Sequence, residues 1–185
     1  MAISRNVHED IEEVLISQQQ LQDRITALAV AISADFAGKD LLLLGILKGG
    51  VMFMVDLARR LDIPLEMDFM ATSSYGNSTE SSGVVRILKD LDAPVEGKHI
   101  LIVEDIIDSG LTLRYLVENI QRRHPASLTI CTLLDKEKAT EKALEPAYVG
   151  FRIPDRFVVG YGLDYAQKYR NLPYIGVLKP RVYSE

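Results

Sequence analysis

The chain has 185 residues, 48% of them apolar, enough for one compact domain whose core needs neither a disulfide nor a structural metal. Lys plus Arg number 21 and Asp plus Glu 26, a formal charge of −5; that balance disfavours broad nucleic-acid binding but permits a local basic pocket for a phosphorylated small molecule. The single cysteine, Cys131, sits in an apolar run with no His or Asn beside it, so it reads as a buried, inert thiol in a chain from a reducing compartment.

The polar start from Met1 to Asp10 has no signal-peptide stretch, and no run approaches membrane-spanning length, so a soluble cytoplasmic protein with no membrane partner is expected. His8, His99 and His124 stand far apart without metal-ligand spacing, so zinc is not expected. Ser17-Gln18-Gln19-Gln20 has the form of a capping box. After it Leu21, Ile25, Leu28, Ile32 and Phe36 recur at helical spacing, predicting a long amphipathic helix that ends near Gly38. Leu41 to Leu47 predicts a buried strand, Gly49-Gly50 a turn, and Val51, Val55, Ala58 and Leu61 a second helix.

Leu65 to Thr72 and Val84 to Leu88 read as a hairpin pair, joined by Ser73 to Gly83, whose Ser, Thr, Gly and Asn predict an exposed, mobile loop. Ile100 to Val103 reads as a short apolar strand, followed by a helix carrying Leu113, Leu116, Val117 and Ile120 on one face. Leu128 to Leu134 and Phe157 to Tyr161 complete the predicted strands. Fully apolar strands alternating with helices define an α/β fold with a mostly parallel central sheet flanked by helices, in a single domain spanning 1–185.

Ligands in such sheets bind beyond the carboxyl ends of the strands, and the unusual residues cluster there. Lys48-Gly49-Gly50 follows the first strand, Glu104 to Thr112 the strand beginning at Ile100, Asp135-Lys136 the strand beginning at Leu128, and Asp164 and Arg170 the strand beginning at Phe157. Asp108-Ser109-Gly110-Leu111-Thr112, small and hydroxylic just before a helix, suits a backbone cradle for a phosphate monoester. A capped helix would also explain Asp108, Ser109 and Thr112, but not the adjacent carboxylates Glu104 and Asp105, which are costly to bury without hydroxyls or a cation. As strand neighbours those two point to opposite faces and cannot play identical roles.

The run Val103 to Thr112 closely resembles the PRPP-binding signature of type I phosphoribosyltransferases. Leu47-Lys48-Gly49-Gly50, Ser74-Tyr75, Lys136 and the run from Phe157 to Tyr165 resemble the hypoxanthine-guanine branch, and the likeness extends from about Val14 onward. It implies the fold of that family, with a small hood from about residues 1–16 and 150–185, and transfer of a 5-phosphoribosyl group from PRPP to hypoxanthine or guanine with Mg2+. Glu104 and Asp105 would then hold the ribose hydroxyls, directly or through water and magnesium, and Asp108 would accept a proton near purine N7. Ser109, Gly110, Leu111 and Thr112 would cradle the 5′-phosphate; Lys48, Gly49, Gly50 and Arg170 would hold pyrophosphate.

The resemblance further assigns Asp164 to a second magnesium at the purine side, Lys136 to the purine O6, Phe157 to ring stacking and Val158 to backbone contacts with the base edge. Ser74 and Tyr75 would belong to a closing lid, and the Leu47-Lys48 peptide is often cis in the family. A homodimer or homotetramer is implied. By residue type alone Lys136 would be a solvated loop lysine, Phe157 core, Arg170 the partner of an acid on its own helix and Asp164 a turn residue. Three rivals remain: transfer to another base such as xanthine, a regulator that keeps this fold and binds nucleic acid, and a P-loop nucleotidase. Asp108 with Lys136, and the acidic balance, oppose the second; Gly45 to Gly50 lacks the Gly-x-x-x-x-Gly-Lys-Ser/Thr pattern of the third.

Overall fold

The computed structural model describes residues 6–74, 85–108, 110–136 and 144–183. After a 3-10 turn at Val7–Asp10, the elements run β1 (Ile11–Ile16), α1 (Gln18–Asp35), β2 (Leu41–Leu47), α2 (Val51–Ala58), β3 (Leu65–Ser74), β4 (Val85–Lys89) and β5 (His99–Ile107). They continue with α3 (Leu111–Gln121), β6 (Ser127–Lys136), β7 (Tyr148–Ile153), β8 (Val158–Val159), β9 (Ile175–Leu178) and α4 (Pro180–Tyr183). The capping box at Ser17 forms as predicted: its hydroxyl accepts from the Gln20 N–H while the Gln20 side chain accepts from the Ser17 N–H.

A six-stranded sheet has the order β4-β3-β2-β5-β6-β7, parallel throughout except that β4 runs antiparallel to β3. Alternation along the buried strands sorts the core onto two faces. Leu43, Leu101 and Val103 pack with Ile25 and Ile32 of α1 and Phe53 and Leu57 of α2, whereas Leu44, Ile100 and Ile102 pack with Leu116 and Ile120 of α3. Cys131 is buried in the first cluster, and burial pushes its thiol pKa up, in keeping with an inert side chain.

A second sheet, of order β1-β9-β8 and antiparallel, joins the two ends of the chain over a small core of Ile11, Val159, Leu172 and Leu178. This corrects the sequence reading at Phe157 to Tyr161, where only Val158–Val159 is extended, and it pairs in this smaller sheet instead of the parallel one. The glycine at 160 and the left-handed Tyr161 turn the chain before a longer strand can form. The strands β1, β7 and β9 were not anticipated. The strand beginning at Ile100 is also longer than its apolar run: pairing with β6 continues to Ile107↔Asp135, so Glu104 and Asp105 lie within it.

At the antiparallel edge, Asp68 of β3 accepts from the N–H groups of Phe69 (2.6 Å) and Asp92 (2.8 Å) and from Lys89 Nζ (3.1 Å). Burial opposes ionisation of Asp68, but these donors outweigh it and hold its pKa below 3.8. A depressed carboxylate contributes stability that is present above its unfolded pKa and lost as pH falls through the lower folded value. Asp68→Asn should therefore cost about 1–3 kcal/mol at neutral pH, because the amide nitrogen faces a donor. Denaturant midpoints should show the deficit shrinking once pH drops below 3.8; a pH-independent deficit would contradict this role for the charge.

Candidate active site

The strand order places a topological switch between β2 and β5. The chain leaves β2 through α2 toward β3 on one side, and leaves β5 through α3 toward β6 on the other. A crevice opens at such a point beyond the carboxyl ends of the strands. Here it holds Lys48-Gly49 after β2 and Glu104-Asp105 near the carboxyl end of β5, and a cavity of about 640 Å³ opens above them. Arg170, Asp164 and Gln167 close it from the segment after β8.

The floor leaves no room for side chains at two glycines. A Cβ on Gly49 would fall on the Asp105 carboxylate, and one on Gly162 would fall on the Gly49 carbonyl, where φ is also +102°. Thus the turn after β2 meets the segment after β8 backbone to backbone and lies directly against the Asp105 side chain of β5. The Leu47-Lys48 peptide is cis. Arg170 Nη1 donates to the Gly162 carbonyl at 2.7 Å, and Arg170 Nη2 pairs with Asp164 Oδ1 at 2.7 Å. No helix carries Arg170; its acid partner comes from a turn in which Asp164 Oδ2 also accepts from the Gln167 N–H at 2.8 Å.

Gln167 was not anticipated from the sequence. Its Oε1 accepts from Lys48 Nζ at 3.2 Å and from Arg170 Nη2 at 3.3 Å, so one neutral side chain joins the two cations predicted to hold an anion. Ala166 and Gln167 both have left-handed backbone, at φ 51° and 64°, a conformation that ordinary side chains adopt at a cost and that tends to gather at functional sites.

A second cavity, of about 210 Å³, lies over the start of α3 between Glu104, Asp108 and Gly110 to Leu113. The helix N-cap is Gly110, left-handed at φ 72° and without any side-chain capping bond. The first N–H groups of α3 therefore face this cavity with the positive end of the helix dipole. Ser109 and, of the loop expected from Ser73 to Gly83, residues 75–83 including Tyr75 lie outside the described residues, whereas the backbone of Ser73 and Ser74 continues β3.

Glu104 and Asp105 behave differently, as strand alternation requires. Among the described residues Glu104 Oε2 is buried without a hydrogen-bond partner, and burial together with the Asp105 charge drives the Glu104 pKa well above the usual carboxylate range. Asp105 is pushed up to about 6, first by burial and also by Asp164, against the Ile106 N–H and Arg170, which lower it. Such carboxylates are poised for a cation or hydroxyls. Among the described residues no three His, Cys, Asp or Glu side chains group into a ready metal cage, so Glu104, Asp105 and Asp164 do not close a site by themselves. That fits a hard divalent cation which takes one or two carboxylates and completes its shell with substrate oxygens and water.

Across the rim, Lys136 ends β6 with its side chain only 13% exposed, and its Nζ bonds Asp155 Oδ1 at 2.9 Å and lies 3.8 Å from Asp108 Oδ2. It is not a solvated loop lysine. Phe157 is not core either: it is 40% exposed, stacked on Tyr183 at a centroid distance of 4.9 Å and edge-on to Tyr165 at 5.7 Å. Val158, beside it, is buried in β8. Asp155 and Tyr183 were also not anticipated.

Sheet topology and the adjacent carboxylates at the switch point define an α/β protein with a ligand crevice beyond the carboxyl ends of its central strands. Residues 14–166 match the family described as phosphoribosyl transferase domain. The chain is 56% identical to the hypoxanthine-guanine phosphoribosyltransferase of Bacillus subtilis, covering 95% of this chain and 97% of that protein. It is also 56% identical to the bifunctional protein TilS/HprT of Listeria innocua, where the match spans 98% of this chain and 28% of the longer protein. A crystal structure of a hypoxanthine phosphoribosyltransferase from Staphylococcus aureus superposes with a TM-score of 0.94 at 49% identity, covering 99% of this chain and 100% of that one. The chain belongs to the phosphoribosyltransferase family, and within it to the hypoxanthine-guanine phosphoribosyltransferases. Among the described residues no helix is long and apolar enough to cross a membrane.

Proposed function

We propose that this chain is a purine-salvage transferase that moves the 5-phosphoribosyl group of PRPP onto hypoxanthine or guanine, giving IMP or GMP and pyrophosphate. What supports it is that Asp108, which lines the helix-start cavity, lies 3.8 Å from the Lys136 ammonium. A proton acceptor and a donor-only cation beside a phosphate cradle match a nitrogen heterocycle with an oxygen acceptor.

In the reaction, the bond from C1 of the ribose to the pyrophosphate oxygen breaks as the N9–C1 bond forms, and the proton lost by the purine at N7 passes to Asp108. The N–H groups at Gly110, Leu111 and Thr112 hold the 5′-phosphate. Lys48 and Arg170, with Gly49 and Gly50 forming the turn between them, take the growing charge on pyrophosphate. Glu104 and Asp105 hold the ribose hydroxyls. Phe157 stacks on the base, and the Val158 backbone meets its edge. Magnesium, held by Asp105 and Asp164 together with substrate oxygens, would neutralise leaving-group charge. We assign the protein to the cytoplasm as a homodimer or homotetramer on the strength of its family resemblance.

Supplying PRPP, magnesium and each base in turn should yield IMP and GMP; absence of nucleotide with both bases would overturn the proposal. Thorough chelation should abolish turnover and magnesium should restore it. Full activity in excess chelator would remove the metal from the reaction.

A further inference from the structure

The register of two strands brings an unassigned carboxylate to the base-reading lysine. Lys136, the last residue of β6, pairs with Ile153, the last residue of β7. Pro154 then fixes the turn, and Asp155 comes back over the strand ends beside Lys136. Two carboxylates thus contend for one ammonium: Asp155 Oδ1 at 2.9 Å and Asp108 Oδ2 at 3.8 Å. The nearer one is outside the chemistry and the farther one is the proton acceptor.

That order matters for both partners. An ammonium on a flexible four-carbon stem can swing to whichever acceptor is open. If it closed on Asp108, the carboxylate meant for the purine proton would be occupied, and the donor meant for the 6-oxygen would be withdrawn from the base edge. Asp155, the nearer carboxylate, takes one of the three ammonium hydrogens, leaving others for the ligand. The same turn leads two residues later to Phe157, so one short segment sets both the edge contact and the stacking face.

We propose that Asp155 is a positioning residue for 6-oxopurine recognition, holding the Lys136 ammonium at the base edge and off Asp108. This rests on the reading that Lys136 donates to the purine O6. Asp155 reaches the base through Lys136, so its removal should weaken the base and spare PRPP. A charged hydrogen bond of this kind is worth about tenfold or more in affinity.

The test is steady-state kinetics of the full chain with hypoxanthine and PRPP varied separately, for Asp155→Asn, Asp155→Glu, Lys136→Gln and the Asp155→Asn/Lys136→Gln pair. Expected are a rise of about tenfold in KM for hypoxanthine in Asp155→Asn, an unchanged KM for PRPP, partial recovery in Asp155→Glu, and no further rise when Asp155→Asn is added to Lys136→Gln. An unchanged KM for hypoxanthine in Asp155→Asn overturns the proposal. So does an equal loss in kcat and both KM values, the mark of a general structural role, or full additivity in the double variant. If Lys136→Gln alone leaves the KM for hypoxanthine unmoved, the O6 reading of Lys136 fails, and that outcome is separate from a failure confined to Asp155.

Discussion

Replacing Asp108 with asparagine is expected to keep PRPP binding and slow turnover by about 10²–10⁴-fold, the usual cost of losing a general base. The side chain is 49% exposed and stands at the mouth of the helix-start cavity, so the amide fits without disturbing packing. The proposed phosphate cradle consists of backbone N–H groups, which the substitution leaves in place. The variant should therefore show an undiminished affinity for PRPP by calorimetry and a reduced kcat with either base. Unchanged turnover would remove Asp108 from proton transfer. Lost PRPP affinity at equal turnover would place it among the ribose-phosphate ligands instead.

What the sequence revealed follows from how local each signal is. The helix from Gln18 to Asp35 was legible because its cap and its apolar spacing lie within the helix itself. The buried strands β2, β5 and β6 were legible as apolar runs, though the end of β5 was hidden because Glu104 and Asp105 interrupt the run while their backbone pairing continues. The short strands β1 and β9 carry no comparable signal: Ile11–Ile16 has only its end residues buried, and Ile175–Leu178 has four residues. They become strands only because the two ends of the chain meet.

The candidate site divides in the same way. The stretch from Glu104 to Thr112 and the Lys48-Gly49-Gly50 turn stand out by their own composition. Gln167 and Asp155 do not, since each is an ordinary polar residue whose meaning lies in a partner far along the chain. Gln167 meets Lys48 across 119 positions, and Asp155 meets Lys136 only through the β6–β7 register. The avoided Cβ at Gly49 is likewise a property of Asp105, not of the turn. Phe157, by default a core residue, is instead exposed just before β8, where it packs on Tyr183 and Tyr165.

Base choice should turn on Lys136, and Lys136→Gln is expected to erode it. An ammonium only donates, so it matches an acceptor oxygen at purine position 6 and opposes the amino group of adenine. Its side chain is 13% exposed, and a donor buried to that degree is costly to leave unpaired when the wrong base enters. A site built around one such hydrogen bond rejects the analogue lacking its partner by about 10⁴–10⁵-fold. The wild-type chain should therefore use hypoxanthine and guanine and nearly exclude adenine. In Lys136→Gln the amide can turn either its oxygen or its nitrogen to the base, so adenine should gain while the 6-oxopurines lose, and the ratio of kcat/KM values should fall by orders of magnitude. Measuring kcat/KM for all three bases with both proteins decides the matter. Comparable use of adenine by the wild type, or equally firm rejection of adenine by the variant, would show that position 6 is read elsewhere.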